Sequence, residues 1–280
     1  MTPLESVRWI HGSEDCRQSN DPIIQVHKID EHSFIMRLSK CFSYEANFIY
    51  LFFGRERAIL LDTGAPAGPQ SPTKTLPIRD TVDSLVREWL DAQGGRDVEL
   101  IVAHTHSHGD HRFWDSQFEK RGRTTIIRPT LDAVTTFFGL ADWPKGQAGL
   151  DLGGRQITVF PIPGHESTHI ALYDERLKAL LTGDTLYPGL LTVENWSEYR
   201  DSAARLARFA RQNEVAYVLG NHIEMKNVPG ELYPIRTIHQ PNEHPLPLTS
   251  AHVEELHAVC EAMGNSPQRT VRDNFIVDPR

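Results

Sequence analysis

The stretch ELIVAHTHSHGDH, residues 99–111, constrains the fold more than any other. It opens as an apolar run with the length of a buried strand. Residues 104–111 then hold four histidines and one aspartate in eight positions. Side chains two apart on an extended segment point the same way, so His106 and His108 aim at one point. His104 shares their parity but sits deeper in the strand. Gly109 lets the chain turn into a helix, and Asp110 and His111 then aim at a second point nearby. The spacing H-x-H-x-D-H therefore suits two metal ions rather than one. Such a chain has to end a sheet strand at a metal site and draw the missing ligands from other strand ends.

Three places supply them. FPIPGHESTH puts His165 just after a strand and a glycine, LLTGDTLY puts Asp184 after another, and VLGNHIE puts His222 after a third. All are turns at strand ends, where sites are built. One ion would take His106, His108 and His165. The other would take Asp110, His111 and His222, with the two oxygens of Asp184 bridging both. Imidazole and carboxylate without thiolate suit zinc, with iron or manganese as competitors. His11, His27, His32, His252 and His257 lack such company and are expected to be ordinary.

The rest of the pattern alternates short apolar runs with polar breaks. Strands are expected at 23–29, 34–39, 47–53, 58–61, 99–104, 124–127, 156–162, 169–173, 178–183 and 215–220. Helical spacing marks 80–93, stopped by Gly94 and Gly95, then 130–138, 201–212 and Ser250–Met263, with a last short strand at 274–277. Each half runs strands, helix, strand. That order predicts two packed sheets with helices outside, a four-layer αββα sandwich in the α/β class. One domain over residues 1–280 is expected, with a Pro- and His-rich extension from about residue 225. Residues 139–154 are irregular and fit either a lid over a site or a long surface loop.

With 280 residues, 39% hydrophobic and 24% charged, the chain is long enough for a substantial core. A net charge of −8 argues against nucleic acid as a partner. Arg121, Arg123 and Arg128 cluster in sequence and are expected to be solvated surface. Three cysteines, an odd number with no C-x-x-C pair, predict neither a disulfide framework nor a thiolate zinc site. No signal peptide and no membrane span are expected, so the predicted location is the cytoplasm. The oligomeric state is left open.

These motifs resemble the metallo-β-lactamase-fold superfamily. LLDTG (60–64), HTHSHGDH (104–111), PGHESTH (163–169), TGDTLY (182–187) and GNH (220–222) occur in the family's order, from about Phe48 to His222. The resemblance implies the αββα sandwich, the seven ligands above, and Asp62 as the carboxylate that orients a ligand histidine. It places His104 and His169 in structural or supporting positions. It also implies hydrolysis by a hydroxide shared between two divalent ions, with Asp110 orienting it and carrying a proton. A bridging Asp184 is unlike the true β-lactamases. Tyr187, three residues on, is similar to a tyrosine of the N-acyl homoserine lactonases and would donate to a substrate carbonyl. The hydroxyacylglutathione hydrolases share GDTL, but the tail here fits their helical domain poorly. Phe137, Phe138, Trp143, Leu190 and Trp196 could flank an acyl substrate, and Glu243 or His244 could touch it or be structural.

The expected function is thus a dinuclear hydrolase of a small ester, lactone or thioester. The alternative is an iron-dependent oxidoreductase of the sulfur-dioxygenase type, whose single iron is held by two histidines and an aspartate. A β-lactamase and a phosphodiesterase or nuclease rank below both.

Overall fold

A computed structural model describes residues 3–95 and 97–280. In chain order its elements are β1 (Ile24–Asp30), β2 (Ser33–Leu38), β3 (Phe48–Phe53), β4 (Arg57–Leu61), α1 (Ile78–Ala92), β5 (Glu99–Ala103), α2 (Gly109–Arg112), β6 (Thr124–Ile126) and α3 (Leu131–Phe138). The second half adds β7 (Ala148–Asp151), β8 (Gln156–Pro161), β9 (Ile170–Asp174), β10 (Ala179–Gly183), β11 (Leu190–Val193), α4 (Trp196–Gln212), β12 (Tyr217–Gly220), α5 (Ser250–Met263), β13 (Thr270–Val271) and β14 (Ile276–Pro279).

β1 to β6 form one six-stranded sheet in sequence order. Its first four strands are antiparallel neighbours, and β4, β5 and β6 run parallel. The second sheet has the order β12-β10-β9-β8-β7. Strand alternation sorts the apolar side chains into layers. In β3, Phe48, Tyr50 and Phe52 join the core between the sheets, while Ile49, Leu51 and Phe53 pack with Val82, Leu85, Val86 and Trp89 of α1. In β9, Ile170 and Leu172 face the same central core, while Ala171 and Tyr173 pack with Leu206 and Phe209 of α4 and with Leu256 of α5. The layers are therefore helix, sheet, sheet, helix, as the αββα expectation has it.

Several local readings differ. β7 lies inside the segment expected to be irregular and pairs with β8, so residues 148–151 are a sheet edge. β11 lies outside every run expected to be a strand; it is four residues long and pairs in parallel with the distant β14, a long-range contact without a local signature. α4 starts at Trp196 rather than Asp201, because the Asn195 side chain accepts from Glu198 N and caps it there. The tail beyond residue 225 is tied down by the pairing Lys226↔Glu243 and by Glu243, which accepts both Nη groups of the buried Arg37 at 2.6 and 2.7 Å.

The cysteine expectation is overturned. Cys16 and Cys41 form a disulfide, with Cα atoms 5.3 Å apart, and Cys260 is free and buried. Counting three cysteines hides the pair, because the proximity of Cys16 to the end of β2 is purely tertiary. Arg121 and Arg123 are each ion-paired, to Asp83 and Asp97. Among the described residues, no helix is long and apolar enough to cross a membrane.

Candidate metal centre

Four strand ends deliver the cluster. β5 runs out into His106 and His108, and the short α2 begins at Gly109, so that Asp110 and His111 sit on its first turn. His165 follows β8, Asp184 follows β10 and His222 follows β12. Gly183 is required at the third of these: it has φ 51, and a Cβ there would lie 2.5 Å from the His169 ring. His169 in turn accepts from Asp184 N at 3.1 Å and stacks on His106 with centroids 4.7 Å apart. It therefore sets the position of Asp184 from behind.

All seven expected side chains come together, in two groups that could each hold a metal ion: His106, His108 and His165, and Asp110, His111, Asp184 and His222. In the first group, His108 Nδ1 lies 2.9 Å from His106 Nε2 and 3.1 Å from His165 Nε2. In the second, Asp110 Oδ2 is 3.2 Å from His111 Nε2 and 3.4 Å from His222 Nε2. Asp184 Oδ2 stands between the groups, 3.3 and 3.5 Å from His111 and His222 and 3.8 and 3.7 Å from His106 and His165. A tetrahedral zinc with bonds of about 2.0–2.2 Å holds its ligand atoms roughly 3.3 Å apart, close to these spacings.

The ring orientations say why a cation fits. His165 Nδ1 donates to Thr192 O, His222 Nδ1 to Glu45 O and His111 Nδ1 to Asp62 Oδ2, at 2.7, 3.0 and 2.9 Å. In each ring the other nitrogen is left to present a lone pair to the centre. His111 Nε2 and Asp184 Oδ1 are buried and have no hydrogen-bond partner. Lone pairs and carboxylates converging in a buried space are tolerated only if positive charge sits among them. Without a metal that charge is protonic. Burial pulls the His111 and His222 pKa values down, but Asp110 and Asp184 outweigh it and hold both well above the ordinary histidine value. Burial likewise opposes ionisation of Asp110 and Asp184, and the facing imidazoles hold both carboxyls well below the usual range. His106 and His165, facing more imidazole than carboxylate, are pushed down by burial.

Asp62 is wholly buried and accepts from Thr105 N at 2.8 Å and Asn221 Nδ2 at 2.7 Å, besides holding His111. His104 bonds Asp115 and Ile127 O and stands outside the cluster. Tyr187, expected to donate to a substrate carbonyl, directs its hydroxyl to protein acceptors in this structure. Its hydroxyl faces Leu190 O at 2.8 Å and Glu224 Oε2 at 3.0 Å, so its one proton is committed to these acceptors. Glu243 is bound to Arg37, and His244 bonds Pro245 O and Asn274. Of the expected apolar flank, Phe138 belongs to the central core and Trp143 packs against it. Phe137 is partly exposed, and Leu190 is half-buried at the start of β11. Trp196 opens α4, and its indole donates to Gly264 O.

Sequence reasoning missed Asn47 and Asn221 as supports. Asn47 Nδ2 reaches Asp110 Oδ2 at 3.2 Å and His222 Nε2 at 3.4 Å. Asn221 has one sequence signal, its place beside His222 in GNH; Asn47 has none.

Comparison with known proteins agrees with this geometry. The family model described as the metallo-beta-lactamase superfamily matches residues 45–222. A hydroxyacylglutathione hydrolase of Dechloromonas aromatica is 30% identical over 145 residues, 52% of this chain and 46% of its own length. The chain thus spans less than half of that relative. The acyl-coenzyme A thioesterase MBLAC2 of Bos taurus is 35% identical, over 62% of this chain and 72% of its own. A solved metallo-beta-lactamase from Pontibacter korlensis superposes with a TM-score of 0.52 at 16% identity, covering 85% of this chain and 99% of that one, a likeness of fold. The matched region runs from the loop that carries Asn47 to the last of the converging histidines, and the chain belongs to the metallo-beta-lactamase superfamily.

Proposed function

We propose that this chain is a metal-dependent hydrolase of small carboxylic thioesters, with esters and lactones as related substrates. The observation that carries the reading is the convergence of bare imidazole nitrogens on the Asp110 and Asp184 carboxylates. His106, His108 and His165 would hold one divalent ion, and Asp110, His111 and His222 a second, with Asp184 touching both. Zinc is the first choice for this donor set, ahead of manganese and iron. Ions held there supply a Lewis acid for the acyl oxygen and bring water toward ionisation near neutral pH.

The chain's own residues do the positioning. Asp62, Thr192 O and Glu45 O lock three rings before substrate arrives, so little reorganisation is left for the reaction. Asp110, the more exposed of the two carboxylates, accepts a hydrogen bond from the attacking water and orients it. Water and thioester give a carboxylic acid and a thiol. A thiol ionises near pH 8.5, roughly, so it leaves as thiolate without first taking a proton. The depressed Asp110 carboxyl is then not required as an acid. The thioester preference draws on the two relatives, since an acylglutathione and an acyl-coenzyme A are both thioesters. A small molecule rather than nucleic acid is the substrate in this reading, in keeping with the net charge of −8.

The test is a hydrolysis panel on zinc- and manganese-loaded protein, with metal analysis beside it. It contains thioesters, an aryl ester, an acyl-homoserine lactone, a cephalosporin and a phosphodiester. Thioester turnover lost with a chelator and regained with zinc is expected. Full turnover in metal-free protein, or one iron per chain and no hydrolysis, overturns the reading.

A further inference from the structure

The five imidazoles of the cluster are not held alike. His165, His222 and His111 each commit Nδ1 to Thr192 O, Glu45 O or Asp62. His106 Nδ1 lies 3.0 Å from Thr105 Oγ1, which itself donates to Asp62 Oδ2 at 3.0 Å. His108 is the exception. It turns Nδ1 inward, toward His106 Nε2 and His165 Nε2, and so directs Nε2 outward. The carboxylate within reach of that outer nitrogen is Glu194, whose Oε1 stands 3.5 Å away. The two side chains are 36% and 53% exposed, and a small rotation of either closes the gap to a hydrogen bond.

Main chain sets the place of Glu194. It follows β11 and precedes Asn195, the cap of α4. Glu194 N and Asn195 N both donate to Gly164 O at 2.9 Å, beside His165. Thr192, two residues back along β11, supplies the carbonyl that holds the His165 ring. One short strand, pinned by β14, thus addresses two of the three imidazoles of the first group. That group is also short of negative charge. Asp110 belongs to the second group, and Asp184 Oδ2 is farther from His106 and His165, at 3.8 and 3.7 Å, than from His111 and His222, at 3.3 and 3.5 Å. A carboxylate on the outer nitrogen of a ligand imidazole fixes the ring, raises its basicity and adds the missing charge.

We propose that Glu194 is the positioning residue of His108, accepting from its Nε2–H when Nδ1 binds the first metal ion, and that it sets the affinity of that site. The proposal rests on the metal-centre reading and is independent of the substrate.

The experiment uses the full chain as wild type, Glu194→Ala and Glu194→Gln. In competitive zinc titration, Glu194→Ala weakens one of two binding steps about tenfold, the lower end for such partners because the pair is exposed. Raising the ionic strength narrows the gap between wild type and variant, since salt screens an exposed pair. Proton NMR of the cobalt-loaded chain reads the bond itself. Cobalt shifts the outer N–H of each ligand imidazole clear of the other protein signals, and a hydrogen-bonded N–H exchanges with water slowly enough to be seen. Wild type gives five exchangeable shifted signals, one for each ring, and Glu194→Ala loses one. Glu194→Gln keeps an acceptor oxygen and retains the signal. Equal zinc affinities in wild type and Glu194→Ala, or the same set of shifted signals in both, overturns the proposal and leaves the metal centre standing. A wild-type chain that takes up neither zinc nor cobalt removes both.

Discussion

Asp62 holds an uncommon backbone conformation for a residue with a side chain, φ 73, at a wholly buried position. The turn that imposes it aims the carboxylate at His111, Thr105 N and Asn221 at once. Asp62→Ala frees the His111 ring and leaves two donors unpaired. Metal affinity or kcat/KM should fall about 10–100-fold, measured by metal titration and steady-state kinetics. Lys40 gives a pH test. Its pKa is about 8 in the fold against 10.5 for a free lysine, so between those values the folded state holds fewer protons than the unfolded one. Stability therefore rises with pH across that window relative to Lys40→Met. The groups around it, Glu243, Arg37, Glu224 and Glu45, are common to both proteins, and urea melts at about pH 7.5 and about pH 9.5, below that window and within it, give the difference. Parallel curves for the two proteins would refute it. At this scale the metal cluster was legible because histidines two apart share a side of an extended chain. The direction of the Tyr187 hydroxyl was not, because Glu224 meets it only in the folded molecule.

Between elements, the Cys16–Cys41 bridge ties the N-terminal segment to the loop that carries Asn47. Its sequence separation of 25 closes a loop of moderate length in the unfolded chain. Replacing both cysteines by serine should cost about 2–4 kcal/mol in urea unfolding. Identical midpoints for wild type with and without reductant would show that the bridge does not act this way. Strands such as β3 and β10 were legible as continuous apolar runs because both of their faces are buried. β7 and β11 are short and half-exposed, and their pairing partners rather than their composition make them strands. The start of α4 depended on which polar residue became the cap.

In the whole molecule, the apolar cores lie between the layers and the metal cluster lies at the strand ends. Burial of these cores does not involve the cluster, so the chain is expected to fold without metal, with protonated His111 and His222 offsetting the two carboxylates. Chelation should leave the far-ultraviolet circular dichroism unchanged and lower Tm, because a ligand bound only by the native state stabilises it, by about 2.7 kcal/mol at a hundredfold excess over Kd. Loss of the folded spectrum on chelation would contradict this.

The sequence alone determined the layer order and the cluster, since strand alternation and the spacing of histidines and aspartates are local rules that survive folding. Only the tertiary structure decided the disulfide, the supports from Asn47 and Asn221, the turning of Tyr187 toward Glu224 and the burial of Lys40 beside Glu243. Each joins residues far apart in the chain, and no periodicity records which distant side chain will fill the remaining valence of a buried polar group.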